Sequence, residues 1–283
     1  MHQRRDIGIS LFTSRPDNRR PALTKVCPLT ELEIASNVLL NAKKIVCLSG
    51  AGISVESGIP TYREKLTGLW ARHNPQHLET AKAFRENPRL VWGWYLWRRQ
   101  QVSKAQPNAA HLALCEMAGS TRTVSIITQN VDDLHERAGS VDVLHLHGSL
   151  SAAKCFACHR PELMIQSAMV EEGALIEPPR CARCNGKLRP GVVWYGEDLL
   201  PGVWKAAVSL VKSCDVLISV GTSGIVTPAA NLPDIALASG ATVIHVNTVD
   251  VGMGAPNEIM LIGRATKILT QLSTFLSREL NSP

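Results

Sequence analysis

Lys44-Ile45-Val46-Cys47-Leu48-Ser49-Gly50-Ala51-Gly52-Ile53-Ser54 is the stretch that decides the fold. Its first part is a short, continuous apolar run, the pattern of a central parallel strand covered on both faces. The glycines that follow permit a sharp turn and let backbone N–H groups approach a ligand closely. Four more runs read as buried strands, at 124–128, 143–146, 216–220 and 243–246. Helical patterning fills the intervals at 31–42, 87–104, 111–117, 131–138, 202–213 and 229–238. Strands alternating with helices predict an α/β fold with a doubly wound, Rossmann-like parallel sheet.

The chain has 283 residues, 45% of them hydrophobic and 19% charged, with the charges spread throughout, which excludes wholesale disorder. No apolar run approaches the roughly 18–20 residues that a membrane helix needs. The N-terminus lacks the long apolar core of a signal peptide, so a cytoplasmic, non-membrane protein is expected. The net charge of +6 is uneven: residues 1–25 contain Arg4, Arg5, Arg15, Arg19, Arg20 and Lys25 against only Asp6 and Asp17. Residues 1–28 therefore read as a basic, disordered tail, with an organellar transit peptide as the alternative, and 29–283 as the folded domain. A basic tail is weak support for specific nucleic-acid binding, which wants a basic face on the domain itself.

Cys155-x-x-Cys158 and Cys181-x-x-Cys184 are two knuckles separated by 22 residues. Each knuckle offers two thiolates to one tetrahedral Zn²⁺, and four sulfurs leave no open position, so the ion is expected to be structural. The segment at about 151–191 shows no strand–helix rhythm and reads as a small module inserted into the larger fold, stabilised by its metal. The other cysteines (Cys27, Cys47, Cys115 and Cys214) are scattered, which argues against a disulfide framework. A nucleic-acid-binding zinc ribbon is an alternative, since the module carries Lys154, Arg160, Arg180, Arg183, Lys187 and Arg189, but Phe156 is its one aromatic residue.

Polar groups gather at four strand ends. Ser49-Gly50-Ala51-Gly52 follows the first strand, although Val55 replaces the third glycine of a full dinucleotide fingerprint. Thr128-Gln129-Asn130-Val131-Asp132, Gly221-Thr222-Ser223 and Asn247 follow three others. The carboxyl ends of parallel strands are where such sheets bind ligands, so these groups predict one crevice. The run Glu56-Ser57-Gly58-Ile59-Pro60-Thr61-Tyr62-Arg63 reads as a mobile cover over it. In His145-Leu146-His147-Gly148 both imidazoles point to one face, and His147, nearer the crevice, is the candidate general base. No G-x-S-x-G elbow is present, so the chemistry is expected to come from a bound cofactor.

These residues, in this order from about residue 31 to 276, resemble the sirtuins, which are NAD-dependent protein-lysine deacylases. The resemblance implies NAD as cofactor, with Gly50, Ala51, Gly52, Ile53, Ser54, Gly221, Thr222 and Ser223 around the pyrophosphate. Asn247 would hold the adenosine ribose, Arg264 and Ala265 would meet the adenine, and Tyr62 and Arg63 would sit by the reactive ribose. Asn130, Val131 and Asp132 would line the nicotinamide pocket beside Gln129, with His147, Asn130 and Gln129 the catalytic set. Nicotinamide, O-acyl-ADP-ribose and free lysine would be the products. An acyl-lysine protein or peptide would add as a strand between Val193-Trp194-Tyr195-Gly196-Glu197 and Gly224-Ile225-Val226.

Tyr95 and Arg98, at i and i+3 of a helix, look like the Tyr-x-x-Arg of class III sirtuins, which remove succinyl, malonyl and glutaryl groups. Two departures stand out. Glu79 occupies a position where class III relatives usually have a small residue, and facing the acyl pocket it would repel a succinyl carboxylate or occupy Arg98. Tyr62 stands where many relatives have Phe, and the preceding Thr61 where most have Asp. A monomer is expected. ADP-ribosyl transfer or NAD hydrolysis on the same fold are the alternative activities; they would consume NAD without acyl-lysine.

Overall fold

The computed structural model describes residues 29–60, 78–119, 122–163 and 169–280. The strands in chain order are β1 (Lys44–Ser49), β2 (Thr123–Thr128), β3 (Val143–His145), β4 (Gly148–Cys155), β5 (Pro161–Leu163), β6 (Leu188–Val192), β7 (Val216–Val220), β8 (Thr242–Asn247) and β9 (Glu258–Ile262). The larger sheet is wholly parallel, in the order β3-β2-β1-β7-β8-β9. From β1 the chain winds outward through β2 to β3, then returns to β7 on the other side of β1. The β1/β7 boundary is thus the topological switch point, where open α/β sheets form their ligand crevice.

The helices are α1 (Glu31–Asn41), α2 (Ala81–Glu86), α3 (Pro88–Lys104), α4 (Ala109–Glu116), α5 (Leu134–Arg137), α6 (Pro201–Ser213), α7 (Leu232–Ala238) and α8 (Ala265–Leu280). Alternation along the central strands splits the core in two. Ile45, Cys47, Ile218, Val220, Ile244 and Val246 pack under α1, α4 and α8. Val46, Leu48, Leu217 and Val243 face the opposite way, under α6 and α7. Both faces being covered is why these strands read as largely apolar runs, broken by the buried Ser219 and His245.

The predicted helix over 131–138 is shorter than expected: only Leu134–Arg137 is helical. Residues 130–132 stay irregular because their polar groups are engaged elsewhere, the Asp132 carboxylate accepting from Leu134 N and from Ser54 Oγ. The segment at 151–191 does contain strands. An antiparallel sheet in the order β5-β4-β6 begins at Gly148 and ends at Val192. It rests on α3, where Trp92 and Leu96 pack on Cys155, Cys181 and Leu188. A Cβ on Gly93 of that helix would lie 1.9 Å from the Ala174 carbonyl oxygen, so this contact requires glycine.

Candidate active site

The loops after β1 and β7 meet backbone to backbone. Gly50 N donates to Val220 O and Gly52 N to Gly221 O, each at 3.0 Å. A Cβ on Gly52 would lie 2.6 Å from Gly221 Cα, and one on Gly50 2.7 Å from Gly221 O. Gly221 itself has φ +61°, a conformation that side chains disfavour. The result is a close glycine-mediated backbone contact at the switch point, between the predicted Gly50, Ala51, Gly52 and Ile53 on one side and Gly221, Thr222 and Ser223 on the other. Asn247, at the end of β8, donates through Nδ2 to Thr222 O at 2.7 Å and so fixes the second loop. Asn108 caps α4 and donates to Ile53 O and Ser57 Oγ, fixing the first. Ala265, the first residue of α8, is buried.

Beyond β2 lies a cluster of buried polar side chains. Asn130 Nδ2 donates to Gly50 O at 3.1 Å and to Ser54 Oγ at 3.2 Å. Asp132 is buried beside it, and burial raises its carboxyl pKa against the hydrogen bonds from Leu134 N and Ser54. Val131 O accepts from Leu150 N, tying the segment to β4.

His147 follows β3 and is half-buried. Its Nδ1 lies 3.0 Å from Gln129 O. A carbonyl oxygen only accepts, so Nδ1 carries the hydrogen and Nε2 keeps a lone pair. Burial lowers the pKa below the ordinary histidine value, with the Gln129 carbonyl opposing, so the ring is a neutral base at pH 7. His145 is held differently. Its Nδ1 is 3.1 Å from Asn130 O and its Nε2 2.6 Å from Glu136 Oε1, so both nitrogens face acceptors. Burial works against its charge, but Glu136 and the Asn130 carbonyl together raise its pKa. The two imidazoles therefore divide their roles: His147 presents a free lone pair and His145 braces the backbone.

Val193 N donates to His147 O and Tyr195 N to Glu79 O, so the segment 193–197 runs beside the base. Tyr195, Ile225 and Val226 are exposed, and Gly196 and Gly224 both have positive φ. Glu197 turns inward: it pairs with the buried Arg189 and accepts from Trp194 N, which makes it a brace of its own loop. Tyr95 is buried, its hydroxyl accepting from Trp194 Nε1 at 2.9 Å. Arg98 is ion-paired with Glu79. Tyr62 and Arg63 lie outside the described residues.

The four knuckle sulfurs lie within 4.8 Å of one another, with Cys155–Cys184 at 3.5 Å and Cys158–Cys181 at 3.9 Å. A tetrahedral Zn²⁺ with bonds of about 2.3 Å requires sulfur separations of about 3.8 Å. The knuckles match each other: His159 N returns to Cys155 O and Asn185 N to Cys181 O, with φ of 58° and 60°. The four cysteines are positioned to hold one zinc ion.

A buried polar chain beneath this backbone contact was not foreseen from the sequence. Ser49 and Thr128 are register partners on β1 and β2, and Ser49 Oγ donates to Thr128 Oγ1 at 2.8 Å. The same Oγ lies 2.8 Å from His135 Nε2, and the His135 ring meets that of His111 edge to face at 4.9 Å. The available signal was a hydroxyl residue at the C-terminal end of each of two neighbouring strands. An open depression of about 520 Å³ lies at the opposite ends of the strands, beside Asn37, Asn41, Asp215 and Thr242, and is lined by none of these groups.

Comparison with known proteins agrees with this geometry. Residues 50–228 match the Sir2 family model. The chain is 86% identical over 230 residues to NAD-dependent protein deacylase 1 of Pseudomonas syringae pv. tomato, covering 81% of this chain and 100% of that protein. It is 61% identical over 246 residues to the NAD-dependent protein deacylase of Pseudomonas putida, covering 86% of this chain and 94% of that one. Among solved structures it resembles a Sir2 homologue in complex with NAD, at TM-score 0.79 and 39% identity over 88% of this chain and 95% of the other. It also resembles Sir2Af2 bound to a myristoylated histone peptide, at TM-score 0.68 and 33% identity over 88% and 98%. The matched region contains the loops after β1, β2 and β7 that build the cleft, and the chain belongs to the Sir2 family.

Proposed function

We propose that this chain is an NAD-dependent protein-lysine deacylase, releasing nicotinamide, O-acyl-ADP-ribose and free lysine. The observation that carries the mechanism is the His147 ring, locked through Nδ1 onto Gln129 O with its Nε2 lone pair available. Bound NAD supplies an electrophilic ribose carbon to the acyl oxygen. The chain's own residues orient the reactants and move one proton. Gly50, Ala51, Gly52 and Ile53, with Gly221, Thr222 and Ser223, receive the pyrophosphate, the glycines letting it approach the backbone closely. Asn247 serves the adenosine ribose and Ala265 the adenine, while Tyr62 and Arg63 are assigned to the reactive ribose.

Asn130, Val131 and Asp132 hold the carboxamide of nicotinamide, to which an amide side chain and a carboxyl offer complementary donors and acceptors. Gln129 lies by the adjoining ribose, and His147 takes a proton from a ribose hydroxyl. The acyl-lysine peptide lies between Val193, Tyr195, Gly196 and Glu197 and the facing Gly224 and Val226. Zinc on Cys155, Cys158, Cys181 and Cys184 is structural, since four thiolates complete its coordination. Among the described residues no helix is long and apolar enough to cross a membrane.

The test is nicotinamide release from NAD with an acetyl-lysine peptide. Release should require the peptide and should stop in His147→Ala while circular dichroism and zinc content are unchanged. Peptide-independent NAD consumption would support the hydrolase alternative, and full activity in His147→Ala would refute the assigned base.

A further inference from the structure

Glu56 sits in the short helical turn Val55–Ser57 of the loop after β1, at the start of the run that reads as a mobile cover. Its carboxylate is instead pinned to the N-terminus of α8, 210 residues further along the chain. It accepts from Thr266 N at 3.3 Å and from Thr266 Oγ1 at 2.9 Å. Arg264, the residue before α8, has no side-chain acceptor, so Glu56 supplies from outside the cap that a helix start needs. Its charge also suits the positive end of this 16-residue helix. The Arg264 guanidinium stands 3.9 Å away on a side chain 79% exposed, so that ion pair adds little. Beneath the link, Ile53 shares a buried apolar cluster with Ala265 and Leu269. The link closes a belt of hydrogen bonds. Gly52 N donates to Gly221 O, Asn247 Nδ2 to Thr222 O, Gly263 N to Asn247 O, and Thr266 to Glu56, whose chain leads back to Gly52. The belt crosses the carboxyl ends of β1, β7, β8 and β9, at the switch point where such sheets bind ligands.

We infer that Glu56 is a positioning residue for the dinucleotide: by tying the loop after β1 to the start of α8, it fixes the gap between them before the cofactor arrives. The inference rests on the NAD-dependent reading, which assigns the pyrophosphate to that loop and the adenosine to Asn247 and Ala265. A ligand that spans two elements binds best when they already stand at the right separation, because loosening them adds an ordering cost to binding. Cut at Glu56, the loop keeps its hold on β7 through Gly52 but loses its hold on α8. The other side of the cleft is anchored separately, by Asn130 on Gly50 O and Ser54 Oγ. The effect therefore belongs to cofactor binding and not to the chemical step.

The experiment uses the full chain. Affinity for ADP-ribose is measured by calorimetry, and KM for NAD and kcat by nicotinamide release with an acetyl-lysine peptide. Glu56→Ala should weaken ADP-ribose binding about tenfold, the scale of one charge-assisted hydrogen bond, and raise KM for NAD by the same factor, with kcat within about twofold of the wild type. Glu56→Gln keeps an acceptor oxygen for Thr266 and should recover most of the affinity. Thr266→Val removes the hydroxyl and should cost part of the same affinity, and adding it to Glu56→Ala should cost nothing further. A lower urea midpoint in Glu56→Ala with ADP-ribose affinity unchanged would reveal a cap of purely structural value and overturn the inference, as would additive losses in the double variant. Failure of the wild type to bind ADP-ribose would overturn it too. If ADP-ribose binds but no acyl peptide yields nicotinamide, the deacylase reading fails, while the affinity comparison still decides the role of Glu56.

Discussion

Lowering the pH from 7.5 to 5 should destabilise this protein through two histidines that never reach solvent. His111 and His135 are buried, and among the described residues His111 Nε2 and His135 Nδ1 have no hydrogen-bond partner. Burial lowers the pKa of His111 from 6.5 to about 4. For His135 burial does most of the lowering, from 6.5 to about 3, helped by His111 and His145 and opposed by Glu136. Both folded values lie below the unfolded one, so the unfolded chain binds more protons in this range. Stability is complete above about pH 6.5 and is lost as the pH falls toward the folded values. At pH 5 each unfolded histidine gains about 2 kcal/mol from protonation that its folded counterpart cannot match, about 4 kcal/mol together. That is a large share of the roughly 5–15 kcal/mol holding a typical domain. Urea titrations followed by tryptophan fluorescence at the two pH values would measure it, with His111→Gln/His135→Gln as the control. Zinc–thiolate protonation affects both proteins alike and cancels in the difference. The control should lose about 4 kcal/mol less than the wild type on acidification, and equal losses would refute the argument.

Chelating the zinc should release one ion per chain, readable with a colorimetric dye, and should also halt nicotinamide release, because β4 begins directly after His147; full activity in the metal-free protein would contradict this coupling. Gly221→Ala places a Cβ 2.5 Å from Ile53 N at a positive φ, and a loss of about 1–3 kcal/mol in thermal or urea unfolding is expected, with weaker NAD binding by calorimetry. Because burial holds the His147 pKa below 6.5, kcat/KM should stay level through neutral pH and fall only below that value; an acid limb centred above 6.5 would rule out a buried neutral base. Arg189→Met removes the buried guanidinium from Glu197 and from Val192 O, leaving Glu197 only Trp194 N and Lys154 at 4.0 Å, and should cost about 3 kcal/mol, recovered in part by Arg189→Met/Glu197→Leu.

The central strands were legible because both faces are covered, so Ile45 to Leu48 are apolar throughout and Val216 to Val220 are apolar but for Ser219. β9 was not, because it is an edge strand whose Glu258 exists to pair with His245, breaking the apolar run. The module's short strands were hidden for a related reason: its interior is largely four sulfurs, so β4 and β6 carry Lys154, Arg189 and Pro190 where a core-built sheet would alternate. Gly50, Gly52, Asn130 and His147 were readable from chain position alone. Partnerships were not. That Glu197 braces Arg189, or that His145 and His147 hold successive carbonyls, depends on side-chain directions that no local pattern encodes.

Those successive carbonyls carry one more implication. Gln129 O is taken by His147 and Asn130 O by His145, and His145 leans outward on Glu136, which is exposed. The two successive peptide units on either side of Asn130 thus form the common footing for the proposed proton removal and amide capture. Neither can be retuned alone, and a charge change at Glu136, on the outer skin of the molecule, reaches both at once.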